Sequence, residues 1–187
     1  MKKLILITVI TVLGLSNVNA QEFNLGVKGG LNFATLTGEN NSEIGWTTDF
    51  NLGVMTEIKI SDKFSFQPEL MYSGQGYGSN IPSEGTIALN YLNVPLMAKY
   101  YVTKGLSLEA GPQMGFLLST KGGTDTNKDQ FKTTDLGVNF GVGYKLDNGL
   151  NFSARYNLGL TNINKMGDFS DKNRHGVFQL SIGYFFF

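Results

Sequence analysis

Few residues in this chain have the types and spacing to do covalent chemistry. The one histidine, His175, has serines such as Ser170 nearby in sequence. A serine–histidine pair activates a nucleophile only when hydrogen-bonded and oriented by a third group. His175 instead shares a charged stretch with Asp171, Lys172 and Arg174, read here as a connection, so no catalytic residue is assigned. There is no cysteine, which removes disulfides, thiolate metal sites and cysteine nucleophiles together. Asp125, Asn127 and Asp129 have the first-third-fifth spacing of a calcium loop. The glycine needed at the sixth position is Gln130, and the glutamate needed at the twelfth is Leu136. Gly74, Gly76 and Gly78 resemble a phosphate-cradling run, but no helical pattern follows them. The expectation is no enzyme, no metal and no cofactor.

The remaining chemistry is charge, and its placement is informative. Fifteen basic residues balance fifteen acidic ones, so nothing favours a nucleic-acid partner. Beyond residue 21 the dominant period is two, the period of a β-strand. Eight runs show it, with outward faces such as Phe50, Leu52, Val54, Ile58 and Ile60 in the second and Phe178, Leu180, Ile182, Tyr184 and Phe186 in the last. No charged residue falls on any of the eight apolar faces. Ten fall on the opposite faces: Lys28, Asp49, Glu57, Lys59, Glu69, Lys99, Glu109, Asp135, Lys145 and Arg155. Glu57, Lys59, Glu69, Lys99, Glu109, Lys145 and Arg155 are expected to form an interior polar network of structural character. Because a short turn is centred on Lys104, Lys99 and Glu109 should oppose each other as an ion pair.

The elements that position these charges follow from the connections. Long ones lie around Thr35–Gly45, Gly78–Thr86, Lys121–Thr133 and Ile163–His175. Short ones are Ser61-Asp62-Lys63, Thr103-Lys104-Gly105 and Asp147-Asn148-Gly149, the last holding the Asn-Gly favoured in hairpins. Alternating long and short connections characterise an outer-membrane barrel with its short turns in the periplasm. The spacing therefore predicts an all-β fold, an eight-stranded antiparallel up-and-down transmembrane β-barrel with both termini periplasmic. The strands run roughly 12 to 16 residues, against the roughly 9–11 that a tilted strand needs to span a bilayer. A propeller is excluded, since each repeat of turns holds two strands rather than four. Outward aromatics (Trp46, Tyr72, Tyr100, Tyr144, Tyr156 and Tyr184) lie toward strand ends, as interfacial girdles require. Pro68, Pro95 and Pro112 cannot donate to a ladder, so each should bring a bulge or a skipped hydrogen bond.

The first twenty residues read as a secretory signal peptide: Lys2 and Lys3, an apolar run from Leu4 to Leu15, and Val18-Asn19-Ala20 before Gln21. The barrel domain is then 21–187. Its filled interior suggests a structural role, or an interaction role through extracellular loops that meet an unknown protein partner. The alternatives are a narrow porin-like channel for small solutes, which needs a water path past the inward charges, and a soluble lipocalin-like carrier, which needs the faces inverted.

Several runs carry a family resemblance: Phe66-Gln67-Pro68-Glu69-Leu70, Tyr91-Leu92-Asn93-Val94-Pro95-Leu96, Leu108-Glu109-Ala110-Gly111-Pro112-Gln113, Gly141-Val142-Gly143-Tyr144 and Ala154-Arg155-Tyr156-Asn157-Leu158-Gly159. They resemble the outer-membrane β-barrel domain family called porin-family or PorT-like, over essentially all of 21–187. The resemblance implies the eight-stranded fold and a place in the outer membrane of a Gram-negative cell; it implies no activity. Among outer-membrane lipid, the charges beside His175 (Asp171, Lys172 and Arg174) are the ones expected to meet lipopolysaccharide phosphates. The ending Ser181-Ile182-Gly183-Tyr184-Phe185-Phe186-Phe187 resembles the signal read by the barrel assembly machinery, with Tyr184, Phe186 and Phe187 as its aromatic positions.

Overall fold

The computed structural model describes residues 23–37, 44–79, 86–122, 131–162 and 174–186. The strands are β1 (Phe23–Thr37), β2 (Ile44–Gly45), β3 (Thr47–Lys59), β4 (Phe64–Ser79), β5 (Thr86–Tyr101), β6 (Leu106–Lys121), β7 (Thr134–Lys145), β8 (Leu150–Gly159) and β9 (Arg174–Phe185). Eight of them pair antiparallel in a ring, β1-β3-β4-β5-β6-β7-β8-β9, and β9 returns to β1. The two-residue β2 is no ninth stave. It continues β3 past Trp46 and pairs with Gly78 and Ser79 of β4. The result is a closed eight-stranded barrel, so every long strand has a neighbour on both sides and no edge is left open.

The faces are those of a barrel in lipid. Phe50, Leu52, Val54, Leu108, Phe140, Leu180 and Ile182 are all exposed on the outer wall, while Glu57, Glu69, Lys99, Glu109 and Arg155 are buried. A lipocalin-like carrier would show the reverse and is excluded. Tyr100, Tyr144 and Tyr184 stand on the outer wall near the short turns and Trp46 at the opposite end, where amphipathic rings meet a membrane interface; Tyr72 and Tyr156, expected toward strand ends, lie nearer the middle of the wall, paired with Leu52 and Phe140.

The short turns are tight. Gly149 closes the turn after β7 with φ of 88° and donates its N–H to the Leu146 carbonyl at 3.1 Å, a backbone conformation open to glycine and costly for other residues. At the other end the strands outlast the alternation. Pairing continues to Thr37, begins again at Thr86 and resumes at Arg174, so the outer parts of the expected long connections are strand. Apart from Leu36 and Phe131 the side chains there are mostly small or polar and carry no apolar period, while the backbone pairing persists. His175 is the main correction: it is not in a connection but pairs with Leu36 of β1, fully buried. Asp125, Asn127, Asp129, Ser170 and Phe187 lie outside the described residues.

Each mid-strand proline interrupts a ladder without changing register. Pairing skips the β3–β4 positions at Pro68, the β4–β5 positions at Pro95 and the β5–β6 positions at Pro112. These are skipped bonds rather than bulges, as a residue without an N–H requires.

The outer wall sets a depth-dependent penalty for charge. Leu180→Arg, between Phe178 and Ile182 on the outward face of β9, should cost about 2–4 kcal/mol, and Thr48→Arg, beyond Phe50 at the rim, about 0–1 kcal/mol. Urea unfolding in lipid vesicles, followed by the fluorescence of the single tryptophan, Trp46, measures both; equal penalties would contradict the placement of the belt.

Candidate functional site

Inward positions of seven strands each contribute one charge to a continuous chain of ion pairs. Lys28 of β1 reaches Glu69 of β4 at 2.8 Å. Glu69 also accepts from Arg155 of β8 at 2.8 Å. The Arg155 Nε donates to Glu109 of β6 at 2.6 Å. Glu109 faces Lys99 of β5 at 3.4 Å. Lys99 stands 3.8 Å from Glu57 of β3, and Glu57 accepts from Lys145 of β7 at 2.8 Å. The signs alternate strictly along this path, from Lys28 at one end to Lys145 at the other.

Alternation is what makes the burial tolerable. A lone charge in a low-dielectric interior costs several kcal/mol even after relaxation. Here every carboxylate has two cationic neighbours, and Arg155 and Lys99 each have two carboxylates. Neutral groups satisfy remaining lone pairs. Gln67 donates to Glu69 at 2.6 Å and accepts from Lys99 at 3.1 Å. Ser107 donates to Glu109 at 3.3 Å, and the Tyr101 hydroxyl donates to Glu57. Gly143 makes room: a Cβ there would lie 2.2 Å from a Glu109 carboxylate oxygen.

Above this chain, away from the short turns, lies a layer of amides. Asn51 donates to Asn32 at 2.7 Å, Gln179 to Asn32 at 3.0 Å, Asn157 to Asn139 at 3.0 Å and Asn139 to Gln113 at 3.0 Å. Higher still the interior turns apolar, with Leu36, Leu89, Tyr91, Leu117 and Phe131 packed together. His175 stacks edge-on against Tyr91, its Nε2 at 3.3 Å from the phenol oxygen. At the opposite end, the short turns surround a cavity of about 630 Å³ whose floor is Glu57 and Lys145.

The residues expected inside separate into two groups. Glu57, Glu69, Lys99, Glu109, Lys145 and Arg155 belong to the chain, with Lys145 a quarter exposed at its lower end. Lys59 does not belong to that buried chain. It is the last residue of β3 and sits at the rim, its side chain 41% exposed and 3.8 Å from Asp62. Lys28 takes the remaining place; the alternation of β1 already turned it inward, but nothing in sequence tied it to Glu69, 41 residues away. Asp135 is buried apart from the chain, accepting from the Thr161 hydroxyl. Tyr184 and Phe186 face outward at the turn end. Among the described residues no three side chains of metal-ligand type come together.

A closed ring of eight antiparallel strands, apolar outside and charged within, is the structural context; the sequence decides the family. The signature of the outer membrane protein beta-barrel domain matches residues 19–165. This chain belongs to that family. Neisserial surface protein A resembles this outer-membrane β-barrel in structure with a TM-score of 0.56 and 15% identity, over 90% of this chain and 100% of that one. The attachment invasion locus protein of Yersinia pestis does so with a TM-score of 0.53 and 13% identity, over 88% and 99%. Identities this low speak for the fold alone. No curated sequence matches the chain.

The charge chain makes its own prediction for this outer-membrane barrel. Arg155→Met takes one of two cationic partners from each of two buried carboxylates, Glu69 and Glu109, and should cost about 3–5 kcal/mol, whereas Lys145→Gln, at the more exposed end, should cost about 1 kcal/mol or less. Chemical unfolding of both refolded variants measures the difference, and similar losses would show that Arg155 is not the central link.

Proposed function

We propose that the protein is a sealed, non-conducting outer-membrane barrel with a structural or interaction role exerted through its wall and the connections at the end away from the short turns. One observation carries the reading: a chain of seven alternating charges, drawn from seven strands, crosses the lumen where a channel would need water. The apolar cluster of Leu36, Leu89, Tyr91, Leu117 and Phe131 above it supports the same view. An eight-stranded barrel encloses only enough space for side chains.

In this reading, residues 1–20 are a cleaved signal peptide and the short turns face the periplasm. Both ends of the described barrel, Phe23 and Phe186, lie at that side, with the Phe186 N–H bonded to the Leu25 carbonyl at 2.7 Å. The barrel assembly machinery reads the terminal aromatics Tyr184, Phe186 and Phe187. The end of the barrel at Thr37, Thr86, Lys121 and Arg174 then faces outward, toward lipopolysaccharide and a protein partner, and no reaction is catalysed.

Planar-bilayer recording of the refolded protein tests this, with heat-modifiable gel mobility verifying the barrel. The expected outcome is silence from the wild-type chain. Steady conductance that changes when Arg155→Ala or Glu69→Gln is introduced would make the interior a pore and overturn the reading.

A further inference from the structure

We propose that the vestibule framed by the three short turns is a binding site for a phosphate-bearing anion. The inference goes beyond the sealed-barrel reading and does not depend on it. The cavity holds about 630 Å³, within the size range of small-molecule sites.

Its wall carries four lysines against three carboxylates. Each carboxylate already has a lysine: Asp147 has Lys104 at 3.0 Å, Glu57 has Lys145 at 2.8 Å, and Asp62 has Lys59 at 3.8 Å. Lys63, in the turn between β3 and β4, has no ion-pair partner among the described residues. The floor adds to the imbalance. The buried chain begins and ends on a cation, with Lys28, Arg155, Lys99 and Lys145 against Glu69, Glu109 and Glu57. Its surplus positive charge can reach solvent at Lys145, whose side chain is 25% exposed. Lys145 spends one N–H on Glu57 and rests over the Phe185 ring at 4.6 Å; an ammonium has three donors, so others remain for a ligand.

Lysines from separate elements lining one cavity, with no planar guanidinium fork among them, suit a compact, multiply charged oxyanion better than a single carboxylate. Such a phosphate comes either from a soluble molecule or from a lipid headgroup at the rim. The shared chemistry is the same; the source is an experimental distinction.

The test titrates the refolded protein in maltoside micelles, which contain no phosphate, with inorganic phosphate, read by calorimetry and ³¹P line broadening. Saturable binding is expected. Lys63→Gln and Lys145→Gln should each weaken it by about tenfold, the worth of one charge-assisted hydrogen bond. Lys121→Gln, at the far end of β6, should leave it unchanged. Heat-modifiable mobility confirms that each variant is folded. Repeating the titration in phosphatidylglycerol nanodiscs separates the sources: loss of phosphate binding there means the headgroup fills the site, and retention means a soluble ligand does. Both support the site. No saturable binding in maltoside, or equal binding by the wild-type, Lys63→Gln and Lys145→Gln proteins, overturns it. The readout is binding in micelles, so a conducting barrel would leave this result interpretable.

Discussion

The constraint on which everything else rests is the closed backbone ladder. In hydrocarbon an unsatisfied N–H or C=O costs several kcal/mol and has no water to turn to. Eight strands solve this by pairing in a ring in which β9 returns to β1. Closure then dictates the side chains. The outer wall must be apolar, so charges within the apolar belt are driven to the lumen, and only strand ends such as Arg174 and Lys121 keep theirs exposed. A lumen that narrow cannot hydrate seven charges separately, and they pair instead. The alternating chain from Lys28 to Lys145 is thus a product of the membrane as much as of the protein.

The interior is graded along the barrel axis. Near the short turns it is wet and charged, in the middle ion-paired, then amide-lined, and finally apolar around Tyr91 and Phe131. The gradient gives the two mouths opposite characters. One offers exposed lysines and a floor with a net charge; the other is stopped by packed side chains.

Much of the fold was legible in sequence because a strand's period is short and local. The outward faces, the three short turns and the opposition of Lys99 to Glu109 could all be counted from neighbouring residues. Contacts across the barrel could not. Lys28 meets Glu69, and Arg155 meets Glu69 and Glu109, through a circumference that no local pattern encodes. Lys59 obeys the inward parity but sits at the end of its strand, where parity no longer implies burial. His175 was hidden for the opposite reason. Its neighbours Asp171, Lys172 and Arg174 suggest a connection, yet β1 runs on to Thr37 and gives His175 a partner in Leu36.

The joint between β1 and β9 differs from the others in one respect: no turn ties the two strands, so nothing covalent sets their alignment. Sliding one past the other by a single residue would expose polar groups to lipid. Sliding by two would not; the greasy face would stay outside, and hydrophobicity is blind to the error. The inner face is not blind. In the native alignment Gln179 lies opposite Asn32 and donates to it; after a two-residue slide Asn32 would face Ser181 or Val177. The alignment of this joint is therefore set from within, by the amides that lipid never touches.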